Sequence, residues 1–211
     1  MTVSQTRPRR TQTERREEAE AKLIEAAIKL VAQTGYDSFS LAELGDHAGF
    51  SRGLPGHYFG KKEDMLSAVV QQICDTLSRG VLDDQKIGRG LAGVENAIRL
   101  YLRGPQDHPT AVKALHVILG ASLTRPELRE NVQRLTRRGL TFFADQIRYG
   151  IEKGEIRPDA DAESCAAAIF AFLRGTVFTH WIDADFDLKQ VGEQFITVFV
   201  GSLRSLRTGP V

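Results

Sequence analysis

The chain has 211 residues, of which 42% are hydrophobic and 26% charged, and a formal net charge of +1. That balance permits a buried core in one large domain or two small ones. It also means that the chain as a whole is not a polycation, so any affinity for nucleic acid has to come from local charge.

The first 16 residues, MTVSQTRPRRTQTERR, contain no apolar stretch that could serve as a secretory signal. Elsewhere no apolar run reaches the roughly 20 residues that span a bilayer, so no membrane partner is expected. Residues 1–16 form a basic arm that carries Arg7, Arg9, Arg10, Arg15 and Arg16 against the single acid Glu14. Such an arm is expected to be disordered on its own and suits contact with phosphate, although by itself it also reads as a solvated tail. A first helix is predicted from Glu14 to Thr34, with Leu23, Ala26, Ala27, Leu30 and Val31 on one stripe and Gly35 as its stop. Ser40-Leu41-Ala42-Glu43 is a capping box, and Phe39 and Leu44 occupy its staple positions. A short second helix follows, from Leu41 to Ala48, and ends at Gly49. Ser51 offers the N-cap of a third. Two short helices joined by a tight glycine turn make a helix-turn-helix pattern, whose second helix enters the major groove.

The third helix lies within the stretch FSRGLPGHYFGKKEDM, residues 50–65, where glycine and proline sit among aromatic and basic residues. Pro55 costs little if the helix starts near Gly53 or Leu54, because the first N–H groups of a helix have no intrahelical partner. Gly53 and Gly56 either let the backbone approach a phosphate closely or form a tight turn against the first helix. Lys61 and Lys62 flank the start of a fourth helix, where N–H groups bind anions. Phe59 is expected in the core. His57 is not expected to bind metal, because no second His or Cys stands at ligand spacing.

Residues 23–70 resemble the DNA-binding domain of the TetR family of bacterial transcriptional regulators. The matching pieces are A-A-x-x-L, G-Y, S-L-A-E-L, A-G-F-S-R-G, Y-F and K-K-E-D-M-L. The resemblance implies an all-α fold with a three-helix head and a larger helical body for ligand binding and dimerisation. The domains are then 1–16 (arm), 17–63 (head) and 64–211 (body). It also implies that Ser40, Ser51, Arg52, Gly53, His57, Tyr58 and Lys62 face DNA; local charge adds Arg9, Arg10 and Lys61 as expected DNA contacts. The chain departs from the family pattern at Gly56, where a tyrosine is common, and at Pro55, where an aliphatic residue is common.

The body reads as a run of apolar stripes, with helices opened by Pro109 and Pro126. Residues 162–182 are apolar almost all round, which predicts burial on more than one side. Residues 187–206 repeat large apolar residues. Together these segments are expected to form a homodimer interface through Phe170, Leu173, Val177, Phe195, Val198 and Phe199, with Gly175, Gly192 and Gly201 allowing close helix crossings. Tyr101, His116, Phe142, Phe143, Arg174, Phe178 and Trp181 are the candidate lining of an effector pocket. Cys74 and Cys165 lack a CxxC pairing and are expected as buried thiols in a reducing cytoplasm.

No hydrolase, zinc-protease, P-loop or dinucleotide motif occurs, so no enzyme, cofactor or metal is expected. The acids Asp159, Asp161, Asp183, Asp185 and Asp187 flank helix starts, where capping accounts for them. The expected function is a homodimeric repressor that binds double-stranded DNA at a palindromic operator and is released by a small-molecule effector. The alternative is a small-molecule-binding helical dimer with weak or no specific DNA binding.

Overall fold

The computed structural model describes residues 11–78 and 87–205. Nine α-helices occur among them: α1 (Gln12–Thr34), α2 (Leu41–His47), α3 (Leu54–Phe59), α4 (Lys62–Ser78), α5 (Gly90–Asp107), α6 (Pro109–Ala121), α7 (Pro126–Glu152), α8 (Ala162–Ile182) and α9 (Leu188–Phe195). A π-helical turn, Ile196–Val200, continues α9. The only β-type pairing among these residues is an isolated bridge between Ile156 and Arg204.

Local chemistry sets most of the boundaries. α1 starts two residues earlier than predicted, because Thr11-Gln12-Thr13-Glu14 is itself a capping box. The Thr11 N–H donates to the Glu14 carboxylate at 2.7 Å and the Glu14 N–H donates to the Thr11 hydroxyl at 3.2 Å. Arg15 and Arg16 therefore belong to the helix, not to the arm. Arg7, Arg9 and Arg10 lie outside the described residues. α2 is capped as expected by Ser40 and Glu43. α3 takes the late start, with Pro55 in its first turn, but its N-cap is Gly53 and no side chain caps it. Ser51, expected in that role, contributes its carbonyl to the Leu54 N–H at 3.0 Å instead. Asp161 and Asp187 cap α8 and α9, and Asp159 pairs with Arg157.

Two apolar clusters hold the chain together. The first joins Leu23, Val31 and Leu44 of the head to Met65, Leu66 and Val69 of α4. It continues into Ala114, Leu115 and Ile118 of α6 and Leu128 of α7. Each fully buried leucine or methionine here stabilises by about 1.5–3 kcal/mol. Packing therefore runs without a break across the expected boundary at residue 63. The second cluster lies among α5, α7, α8 and α9.

α8 has two faces, and they correct two expectations. Phe170, Leu173 and Val177, expected at a dimer interface, point into the subunit's own core and are buried. The Phe170 ring fills the space over Gly139, where an added Cβ would stand 2.3 Å from it. The opposite face carries Ala167, Ala168, Ala171 and Gly175, then Phe178 (55% exposed) and Ile182 (73% exposed). Phe178 is thus a surface residue, not part of a pocket. Gly175 has open space around it, whereas Gly192 is needed inside the subunit, where Leu102 would meet its Cβ at 2.4 Å. On α9 and its π turn, Val198 is 61% exposed beside half-buried Phe195 and Phe199. Phe195 stacks on Phe172 at 3.7 Å and on Phe199 at 4.9 Å. By length and composition Ala162–Ile182 could cross a membrane, contrary to the reading that no apolar run is long enough. One of its sides is nevertheless committed to α7 and α5.

Candidate nucleic-acid interface and effector cavity

α2 and α3 are locked together by a glycine that the sequence reading passed over. A Cβ on Gly45 would stand 2.6 Å from the Ser51 carbonyl oxygen and 3.1 Å from the Arg52 Cα. Both are backbone atoms that no side-chain rotation can move. The available signal was a glycine, a poor helix former, inside a seven-residue helix.

In front of this contact, Ser51, Arg52, Gly53, Gly56 and His57 form an exposed edge. A Cβ at Gly53 or Gly56 would meet nothing within 4 Å, and neither residue has a positive φ. The tight-turn reading of these two glycines therefore fails, and neither packing nor backbone conformation requires them. Arg52 is 3.8 Å from Asp46 in an exposed pair. Such pairs are worth little and yield easily to a stronger anion. Ser40 is exposed, with its hydroxyl engaged by Glu43. Tyr58 is half-buried, with the Arg16 guanidinium 5.8 Å from its ring centroid.

Lys62 sits differently from the outward position implied for it. Its ammonium donates to the Phe39 carbonyl and lies 4.9 Å from the Tyr36 ring and 4.4 Å from the Phe39 ring. Burial holds its pKa below the usual lysine value. Lys62 thus ties α4 to the α1–α2 link, and exposed Lys61 is the outward cation at that helix start.

The body holds two neighbouring cavities between α4, α5, α6, α7 and α8. The inner one, about 150 Å³, is lined by Cys74, Tyr101, Phe142, Phe143, Arg138 and Arg174, among others. The outer one, about 470 Å³, opens between α4, α5 and α6 and includes Tyr101, Arg103, Asp107 and His116. Five of the seven expected lining residues therefore gather here: Tyr101, His116, Phe142, Phe143 and Arg174. Phe178 and Trp181 line neither cavity. Trp181 packs half-buried at the end of α8, with its indole N–H buried and unpartnered. Cys74 and Arg138 were missed, because nothing local connects α4 with the middle of α7. Cys74 is buried and Cys165 only half-buried, and burial pushes both thiols up.

Polar atoms inside this region lack partners. The Arg174 guanidinium lies over the Phe170 ring at 4.5 Å and faces the Tyr101 hydroxyl, yet its Nε is buried with no acceptor. Burial lowers its pKa, against an opposing effect from Tyr101. His116 Nδ1 bonds the Val112 carbonyl at 2.8 Å, so in the neutral ring Nε2 carries no proton; it is buried beside the Arg174 backbone and makes no hydrogen bond there. Burial depresses the His116 pKa below 6.5. A base with a depressed folded-state pKa contributes stability that is present above its unfolded value and lost as pH falls through the folded value. The thermal midpoint is thus expected to drop as the pH falls below the ordinary histidine value, and His116→Gln to flatten that drop. An identical pH profile in the variant would remove His116 as the cause.

Two families of known sequence match in tandem. Residues 23–69 match "Bacterial regulatory proteins, tetR family", and residues 91–203 match "BetI-type transcriptional repressor, C-terminal". The chain is 31% identical over 175 residues to the HTH-type transcriptional regulator CymR of Pseudomonas putida, covering 79% of this chain and 81% of that one. Among solved structures, FadR of Bacillus subtilis in complex with stearoyl-CoA has a TM-score of 0.74 at 21% identity, covering 87% and 99% of the two chains. A chain from Saccharomonospora viridis in complex with choline has a TM-score of 0.75 at 21% identity, covering 86% and 97%.

Proposed function

Because the chain belongs to the tetR family of bacterial regulatory proteins and is a DNA-binding transcriptional regulator, we propose that it is a homodimeric repressor released from a palindromic operator by a small molecule. The observation that carries this reading is the exposed edge of Arg52, Gly53, Gly56 and His57, held from behind by Gly45. With no side chain on two of its positions, the backbone can come close to a groove wall, while Arg52 and His57 supply donors to phosphates or base edges. Lys61 and the basic arm, including Arg9 and Arg10, add sequence-independent phosphate contacts. The outward apolar faces of α8 and α9 join two subunits into the two-fold reader that a palindrome needs. The protein acts on DNA in the cytoplasm.

The effector occupies the cavities of the body, and two helices carry its effect to the head. α6 presents Leu115 to both cavities and Ala114 and Ile118 to the head's core. α4 presents Cys74 and Leu77 to the inner cavity and Met65, Leu66 and Val69 to the head. Polar struts reinforce the link: Arg125 to Asp37 at 2.8 Å and Asn131 to Ser67 at 2.7 Å. Effector binding shifts the population toward a head spacing that no longer fits both half-sites. Neither neighbour's ligand suits this inner cavity. Its arginines disfavour choline, and its volume is too small for a stearoyl chain.

Selection from a random duplex pool, followed by a salt titration on the winner, tests the DNA-binding half. A two-fold symmetric site is expected, with affinity falling steeply in salt. Deleting residues 1–10, which spares the Thr11 cap, is expected to weaken all sequences alike and to flatten the salt slope. If no site is enriched, the exposed α3 edge does not read sequence.

A further inference from the structure

We propose that the effector is a small monocarboxylate with an apolar body about the size of one aromatic ring, bound with its carboxylate on Arg174 and its body against Phe142 and Phe143. This deepens the reading of the body as an effector site and rests on it.

Charge comes first. The inner cavity has a predominantly apolar wall that includes two arginines, and among the described residues no aspartate or glutamate lines it. Arg174 makes no ion pair among those residues. The groups that act on its charge are the Tyr101 hydroxyl and the Cys74 thiol, and its Nε has no acceptor. Keeping a desolvated guanidinium without a counter-ion is costly. A ligand carboxylate would remove that cost and give a charge-assisted bond, with the Tyr101 hydroxyl as a second donor. Arg138, exposed at the rim of the same cavity, adds a second positive charge that attracts an anion and repels a cation.

Size and shape narrow the class. An apolar cavity of about 150 Å³ holds one benzene ring. Phe142 and Phe143 meet edge to face at 5.3 Å, which offers a ring both a face and an edge to pack on. A longer substituent would pass Tyr101 into the outer cavity, since Tyr101 borders both. His116 lines that outer cavity together with Arg103 and Asp107, so a polar group on the substituent would find polar side chains there.

The test is calorimetric titration of the full-length protein with benzoate, phenylacetate, their two neutral amides and benzyltrimethylammonium. The acids are expected to bind at least about 10-fold more tightly than the amides, and the cation not at all. Arg174→Met should bring the acids down to the level of the amides while the thermal midpoint holds, because an apolar group of similar length can replace a buried charge without loss of fold. Arg174→Lys should keep part of the acid preference. Equal binding of acid and amide, or unchanged acid binding in Arg174→Met, would overturn the proposal, as would no binding by either acid. Release of the selected duplex is followed separately by fluorescence anisotropy. Acids that bind without releasing DNA would keep the ligand class and remove the regulatory reading. Release by the neutral or cationic probes alone would do the reverse.

Discussion

Gly45→Ala will cost the protein its specific DNA binding while the body stays folded. Two effects oppose each other at this position. Alanine gains about 1 kcal/mol of helix propensity over glycine. Against that, its Cβ would lie 2.6 Å from the Ser51 oxygen and 3.1 Å from the Arg52 Cα. Overpacking of this kind costs about 1–3 kcal/mol, and the clash is with backbone, so the whole α2–α3 turn has to shift. The clash wins. The predicted outcome is a thermal midpoint a few degrees lower and an affinity for the selected operator reduced on the order of 100-fold, as two or more base contacts fall out of register. Gly56→Ala is the matched control. Its Cβ meets nothing, so stability should hold or rise by about 0.5–1 kcal/mol, and only DNA affinity should fall. A Gly45→Ala protein with wild-type midpoint and wild-type affinity would refute the role given to this contact.

Charging the outward apolar face should have an equally large effect. Phe178 and Ile182 on α8 and Val198 beyond α9 are 55%, 73% and 61% exposed in the single chain, next to the open surface at Gly175. An isologous interface doubles any substitution, so Phe178→Glu with Val198→Glu would place four uncompensated carboxylates between two subunits. Light scattering is expected to report a monomer mass where the wild type gives a dimer. Operator affinity should fall by about 1,000-fold or more, toward non-specific binding, because each protein then reaches one half-site. Circular dichroism should keep its helical signature, since Phe170, Leu173 and Val177 still fill the subunit's own core. A dimer mass in the double variant would mean that the subunits meet elsewhere.

Much of this protein is written in short-range chemistry. The capping boxes at Thr11–Glu14 and Ser40–Glu43, the glycine stops at Gly35 and Gly49 and the proline starts at Pro109 and Pro126 each involve residues within about four positions of one another. The sequence alone therefore determined the helices, the helix-turn-helix and the family. Tertiary structure decided what depends on distant neighbours. α8 is apolar on every side, so its composition carries no direction, and only packing against α7 and α5 turns Phe170 inward and Phe178 outward. Lys62 reads as a surface cation until Tyr36 and Phe39, more than 20 positions away, close around it. Arg174 reads from the sequence as a candidate pocket residue, but which groups surround its charge is settled only when Cys74, Tyr101 and Arg138 meet it across a cavity built by separate helices. A cap is settled by hydrogen bonds the chain can make with itself locally. The side a helix buries, and the charge it leaves unpaired, are settled only when the rest of the chain has folded against it.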